Sequence, residues 1–511
     1  MSTQRTSRAA DWVRLHARNT PGRACFVTDT DSYSFAQVNS RVNRVANELR
    51  RMGVGKGDRV ALFATDSHCY METLLACMKL GAVYVPLNFR LARPELQMLL
   101  RTAEAKVLFF SERYAAMVES IDVPTLRWTV SYEKTAVADR GYDELVAAGD
   151  DVEIDTPFGD DEIMCLAFTS GTTALPKGVM HHQRMTKHLV FQCILERRLP
   201  ADSFHYSPAP LYHVAGMGYV LAGVARGFPS LILPAFDPVT VLKWLRRDVL
   251  NGVFLVPTMI DMLLQQPDVR DASYDRLLSI AYGAAPMSPT LLRRAMKTFR
   301  CDFMNMFGAG TEAGLQTVLT PEDHRRALAG NEHLLGSIGK PGMGVDLRLC
   351  DDDLNEVPDG TVGEIVTRSD AVMAGYLGMP DETDRVLVDG WFRGGDMAWR
   401  DDEGYLYLSG RKKDMIIRGG ENIYPIEIEQ VLSELPAVQE VSVVGVPDER
   451  WGEIVRAHLV VNPGGAFDED AVREYCRTRL AGYKIPAVFR VEETLPRNAS
   501  GKVLKRTLRT R

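Results

Sequence analysis

The chain has 511 residues, with 46% hydrophobic and 25% charged side chains and a formal net charge of −7. Composition of this kind excludes a chain dominated by disorder, and the length exceeds one ordinary core, pointing to roughly three domains. No long basic run is present, so no nucleic-acid footprint is expected.

The eight cysteines are widely spaced and none form a CxxC pair. That argues against a zinc ribbon or a disulfide framework and fits reduced thiols in a cytosolic protein. The N-terminus, "MSTQRTSRAADWVRLHARNTPG", carries charges where a signal peptide needs an apolar stretch. No apolar run approaches the ~20 residues of a membrane span. The C-terminal "LRTR" is neither a peroxisomal nor an endoplasmic-reticulum address. A cytoplasmic location without a membrane span is therefore expected.

The first 150 residues alternate helical and strand patterns. "FAQVNSRVNRVANELRRMGV" sets Phe35, Val38, Val42, Val45 and Leu49 at helical spacing. "GDRVALFA" reads as a strand, "YMETLLACMKLGA" as a helix ending near Gly81, and "VYVPLN" as another strand. This alternation predicts βαβ units and a mostly parallel sheet. The rhythm returns in "GVFLVPTMIDMLLQQ" and "SIAYGAAPMSPTLLRRAMKTF". After about residue 340, glycine-rich turns separate short strands, as in an antiparallel or barrel-like subdomain. From Pro425 a helix, strands and a further helix, "DEDAVREYCRTRL", predict a compact α+β domain. The fold class expected is α/β: a large N-terminal domain of βαβ-type sheets with a barrel-like subdomain, then a small C-terminal α+β domain.

"TSGTTALPKG", residues 169–178, concentrates glycines, hydroxyls and one lysine. It is not a Walker A loop, because Lys177 is followed by Gly178 rather than by serine or threonine. The physics is similar: successive backbone N–H groups form an anion nest, threonine hydroxyls add donors, and lysine brings a mobile positive charge. Alone, the stretch also fits a plain surface loop.

The blocks that follow, taken in order, resemble the adenylate-forming superfamily of acyl-CoA synthetases, luciferases and adenylation domains. The likeness spans roughly residues 20 to 507. It implies a large N-terminal domain over 1–410, a hinge at 411–413 and a mobile C-terminal domain over 414–511. By this resemblance Thr169, Ser170, Gly171, Thr172, Thr173 and Lys177 close over the β- and γ-phosphates of ATP. Ala174 stands where most members have glycine.

"PLYHVAG" holds His213. A lone histidine is more often structural, but acyl-CoA synthetases carry an aromatic–His pair here at the edge of the acyl pocket. Members that activate amino acids have aspartate at this place, so an α-amino acid is not the expected substrate. "YGAAP" matches the adenine-side strand and turn, with Gly283, Ala284, Ala285 and Pro286. "NMFGAGTE" matches the block in which Asn305 opens the segment, Thr311 contacts phosphate and Glu312 binds Mg²⁺. A hard cation bridging phosphates suits a carboxylate. Two residues separate Gly308 from Thr311 where most members have one.

Asp396 and Arg411 match the pair that holds the ribose hydroxyls, and Lys413 matches the hinge. Gly419 and Gly420 match the channel for the pantetheine arm of CoA. Lys502, in "LPRNASGK", matches the lysine that reaches the acyl carboxylate and the α-phosphate. The implied catalytic residues are thus Lys502, Glu312, Thr311 and His213. The implied cofactors and co-substrates are ATP, Mg²⁺ and CoA, and the partner is a small-molecule carboxylic acid.

The resemblance implies an ATP-dependent acid:CoA ligase acting through acyl-AMP. Its expected acyl wall comprises Tyr212, His213, Val214, Gly218, Tyr219, Met306 and Phe307, with Gly310 nearby. That wall is apolar, without a lysine or arginine to mark a second carboxylate, and suits a fatty, branched, alicyclic or aromatic monocarboxylate. Two alternatives stay open: an acyl-AMP ligase that loads a carrier protein, and a non-catalytic relative that only binds nucleotide or acyl group. The absence of a long insertion before the hinge favours CoA. A homodimer is expected on general frequency alone.

Overall fold

The computed structural model describes residues 8–169, 176–270, 272–285, 287–462, 464–465, 467–497 and 503–510. The N-terminal helix predicted by spacing runs Phe35–Arg51. Ser34 caps it, with Gln37 bonding back in a capping box. Its apolar stripe, Phe35, Val38, Val42, Val45 and Leu49, is fully buried. The strand Arg59–Phe63 follows, then helix His68–Leu80, stopped by Gly81 at φ +69°. Strand Val83–Pro86 returns parallel to Arg59–Phe63, completing a βαβ unit.

Among the described residues the strands form four sheets. One, of eight strands, has a parallel centre, continues through the antiparallel pair Ile163–Thr169 and Lys177–His182, and ends at Gly375–Tyr376. A second, of nine strands, runs parallel through Gly252–Leu255, Ser279–Gly283 and Asp302–Phe307 and then turns antiparallel. The main core lies between these sheets, built on Leu74, Val42, Met217 and Val220 from helices and on Val60 and Phe254 from strands. The texture change near residue 340 is real. Asp346–Cys350, Gly363–Arg368, Leu387–Val388, Trp391–Arg400 and Leu406–Arg411 form an antiparallel sheet.

The C-terminal segment carries helix Pro425–Ser433, the paired strands Val438–Asp448 and Gly452–Val461, and helix Glu469–Arg477. Ile416, Ile428, Leu432, Val443, Leu459 and Cys476 give it a core of its own. Arg509 connects it to the preceding turn, through the Lys413 carbonyl at 3.3 Å and the Asp414 carboxylate at 3.6 Å. Among the described residues, no helix is long and apolar enough to cross a membrane.

Candidate active site

The strand Lys177–His182 carries the far arm of the 169–178 stretch, with Thr169 paired across from Lys177. Thr169 and Lys177 are described; Ser170, Gly171, Thr172, Thr173 and Ala174 lie outside the described residues, as do Pro286 and Lys502. Lys177 is not a bare cation here. Its ammonium is 2.6 Å from Glu382 Oε2 and stands 4.8 Å from the centre of the Tyr376 ring. Glu382 belongs to helix Pro380–Val386, and the Lys177 hydrogen bond holds its carboxyl below the usual carboxylate range.

The Tyr376 hydroxyl reaches Glu312 Oε1 at 3.5 Å. One short stretch of chain thereby ties the hairpin to the Glu312 turn. Met373 N donates to the Glu312 carbonyl at 2.8 Å, and Leu377 N donates to the Gly178 carbonyl at 2.8 Å. Tyr376 itself pairs with Val179. His181 supplies a second tie, its Nε2 lying 2.8 Å from the Thr311 carbonyl oxygen. Burial, against the pull of that carbonyl, lowers the imidazole pKa to about 4. His181 is therefore neutral near pH 7 and donates from Nε2.

The extra residue between Gly308 and Thr311 is absorbed in a miniature turn. Gly310 N donates to the Gly314 carbonyl at 3.2 Å, and Gly314 N to the Gly310 carbonyl at 3.0 Å. Both glycines have φ +58°, a conformation that costs other residues about 1 kcal/mol or more. Gly308 is fixed differently: a Cβ there would lie 2.0 Å from the Gly314 carbonyl oxygen. Thr311 and Glu312 occupy the tip, both half-buried.

Strands Ser279–Gly283 and Asp302–Phe307 run side by side in register, with Tyr282 opposite Asn305 and Gly283 opposite Met306. Gly283 allows this approach, since a Cβ would come within 2.3 Å of the Met306 carbonyl. Ala284 follows at φ +65°, and Ala285 is exposed. The adenine-side segment and the Glu312 turn thus leave adjacent strand ends.

Asp396 and Arg411 lie opposite each other across the pairing of Trp391–Arg400 with Leu406–Arg411, joined at 2.9 Å. Lys413 sits in the single turn Lys412–Asp414 that follows. Gly419 and Gly420, at φ +60° and +88°, form the two-residue turn between Ile416–Arg418 and Glu421–Ile423. Positive φ at both central residues is the type I′ geometry. A Cβ on Gly419 would lie 2.9 Å from the Trp451 ring.

His213 caps helix Val214–Arg226, and its Nδ1 accepts from Ala215 N at 3.2 Å. That bond places the imidazole proton on Nε2. The loop before it is held from outside: Leu211 N donates to Asp66 Oδ1 at 2.9 Å, and Arg90 donates to the Tyr212 hydroxyl at 2.9 Å.

The expected acyl wall needs two corrections. Phe307 packs in the cluster of Ile338, Leu347 and Leu406, whereas Met306 meets Tyr219. Successive strand residues face opposite sides, so these two cannot share a wall. The wall also has a cation behind it: the Arg197 guanidinium lies 4.3 Å from the centre of the Tyr219 ring. Arg197 ends helix Gln183–Arg197, where no local motif marks it. Glu382, Tyr376 and His181 carry no local motif either: their meaning arises from side-chain contacts between distant segments.

A model of the AMP-binding enzyme family matches residues 13–377, and one of the AMP-binding enzyme C-terminal domain matches residues 427–502. The chain is 37% identical over 502 residues to a feruloyl-CoA synthase of Amycolatopsis, covering 98% of each. It is 32% identical to a fatty acid–[acyl-carrier-protein] ligase of Streptomyces coeruleorubidus, covering 97% of this chain and 95% of that one. Its fold superimposes on the o-succinylbenzoate CoA synthetase of Bacillus subtilis, solved with its acyl-adenylate intermediate, at TM-score 0.86 and 29% identity, over 98% and 97% of the two chains. With both family models matched in order and relatives aligned along nearly the whole length, the chain belongs to the AMP-binding enzyme family.

Proposed function

We propose that the protein is an ATP-dependent acid:CoA ligase for an aromatic or other apolar monocarboxylate, working in the cytoplasm. The carrying observation is the full-length alignment with a feruloyl-CoA synthase, both family models included. A carboxylate oxygen attacks the α-phosphorus of ATP, the bond to pyrophosphate breaks, and acyl-AMP forms. The CoA thiol then loses its proton as its sulfur bonds to the acyl carbon, and AMP leaves. Free cysteines throughout fit a reducing compartment.

The residues divide the work by chemistry. Asp396 accepts from the ribose hydroxyls, with Arg411 beside it. Thr311 and Lys177 donate to phosphate oxygens, Lys177 exchanging Glu382 for the triphosphate. Mg²⁺, when bound, neutralises phosphate charge, and Glu312 would hold it, a half-buried carboxylate being the donor such a cation takes. His213 presents Nε2 at the mouth of the acyl pocket. Lys502 offsets the negative charge gathered where carboxylate and α-phosphate meet. Gly419 and Gly420 leave a side-chain-free turn along which the pantetheine arm passes.

The carrier-protein ligase among the relatives favours one second reading: the same acyl-AMP, handed to a carrier-bound thiol. A chase separates the two. Enzyme, acid and Mg·ATP are mixed without thiol, bound acyl-AMP is isolated, and CoA or a phosphopantetheinylated carrier protein is added. Discharge to acyl-CoA supports the ligase, and discharge only to the carrier protein replaces it with the second reading.

A further inference from the structure

Helix His68–Leu80 is capped by Ser67, and its opening turns carry His68, Cys69 and Glu72. His68 and Glu72 are four residues apart and Cys69 and Glu72 three, so their side chains share one helix face. The ligand atoms they offer, an imidazole nitrogen, Sγ and a carboxylate oxygen, all lie within 4.8 Å of one another. His68 Nε2 and Cys69 Sγ are 3.3 Å apart. In a tetrahedral zinc site, bonds of about 2.3 Å to sulfur and about 2.0 Å to nitrogen separate those two atoms by about 3.5 Å. None of the three residues belongs to the candidate active site.

The surroundings hold these donors in place. The His68 ring stacks on Tyr33, with centres 4.1 Å apart. Glu72 is fully buried; Arg41 Nε donates to both of its oxygens at 2.9 Å, and the Tyr142 hydroxyl donates to Oε2. A carboxylate has about four acceptor sites. These donors use three, and the remaining one is on Oε1. Arg41 and Tyr142 thus orient Glu72 as outer partners orient a metal-bound carboxylate. His68 and Cys69 are half-buried, which gives a cation a way in. Burial and the Glu72 charge raise the Cys69 thiol above its ordinary range, so it keeps its proton until a cation replaces it. Arg41 Nη2, 4.0 Å from Sγ, opposes a second cation. Thiolate and carboxylate together carry two negative charges against its one, so the cluster still attracts a divalent ion.

We propose that His68, Cys69 and Glu72 bind one thiophilic divalent cation of zinc's class, with solvent as the fourth ligand. Sulfur bonds to the cation as the thiol proton leaves to solvent. A sulfur, an imidazole and one carboxylate oxygen select zinc or cobalt over Mg²⁺ and Ca²⁺, which take oxygen ligands.

Cobalt titration of the full-length protein, first stripped with a chelator, tests the site without ATP, acid or CoA. A thiolate on Co²⁺ gives a near-ultraviolet charge-transfer band, which a carboxylate site such as Glu312 cannot give. The wild type is expected to develop that band up to one equivalent of Co²⁺ and to lose it when Zn²⁺ is added. Cys69→Ser is expected to abolish the band. Cys301→Ser, at the other half-buried cysteine, is expected to keep it. His68→Gln is expected to weaken Zn²⁺ binding at least about tenfold, since loss of an outer partner alone costs about 10- to 100-fold. Glu72 is left unaltered because it is buried against Arg41 and Tyr142. Circular dichroism checks that each variant folds; if Cys69→Ser does not, the wild-type band and His68→Gln decide. No band in the wild type, a band that survives Cys69→Ser, or a Zn²⁺ affinity unmoved by His68→Gln would overturn the site.

Discussion

Asp396 and Arg411, fifteen residues apart, meet at 2.9 Å because an antiparallel register sets them directly opposite. Asp396's side chain is 13% exposed and Arg411's 46%, so the pair has a sheltered acceptor and an open cation. We predict that Asp396→Ala weakens AMP binding by roughly 10- to 100-fold, since hydrogen bonds to a charged group contribute about 1.5–3 kcal/mol. Arg411→Ala should weaken it less. Calorimetric titration of AMP checks both, and equal losses would mean that Asp396 acts only by holding Arg411.

Lys177 is shared between Glu382 and Tyr376. If ATP must displace Glu382, then Glu382→Gln removes a competitor and should tighten ATP binding by up to about fivefold, the worth of a partly exposed ion pair of up to 1 kcal/mol. AMP, lacking the β- and γ-phosphates, should bind unchanged. The ratio of ATP to AMP affinity is the measurement, and an unaltered ratio would leave Lys177 as a structural tie only.

His181 offers a prediction in pH. Its folded pKa of about 4 lies below the ordinary 6.5. A base lowered in this way binds fewer protons in the native state than in the unfolded chain between those values. Its contribution is therefore full above pH 6.5 and is lost as pH falls toward 4. Thermal melts of wild type and His181→Gln, whose amide keeps a donor but does not titrate, should converge as pH drops through that window. A constant difference would mean that protonation of His181 is not the cause.

One stretch of the candidate site was legible because its chemistry is local: residues 169–178 concentrate glycines, hydroxyls and a lysine. Glu312, Gly419 and Gly420 were singled out by family resemblance instead. The regular elements were legible locally as well: Phe35 to Leu49 repeat at helical spacing, and the whole stripe is buried. What escaped depends on contacts between segments far apart. Glu382 reaches Lys177 across 205 positions and His181 reaches Thr311 across 130. Phe307 was placed on the wrong side because strand alternation matters more than adjacency to Met306. Arg197, at the end of helix Gln183–Arg197, is buried under Tyr219 by a contact that no local pattern marks.

In the proposed reading, Lys502 of "LPRNASGK" serves the adenylation half-reaction alone. Lys502→Ala should lower the adenylation rate on the order of 10² or more, as expected for loss of a charge-stabilising donor. Thiolysis of preformed acyl-AMP should be spared. Single-turnover assays of each half-reaction decide it, and equal losses in both would remove Lys502 from its assigned role.

The central claim is the acid:CoA ligase itself, and pyrophosphate release tests it most directly. Mg·ATP would be incubated with monocarboxylic acids spanning short, medium and long chains and ring acids, each with and without CoA. The account predicts acid-dependent release that rises with CoA, with acyl-CoA and AMP as products. No release with any acid, while ATP still binds, would contradict it and identify a nucleotide-binding relative without turnover.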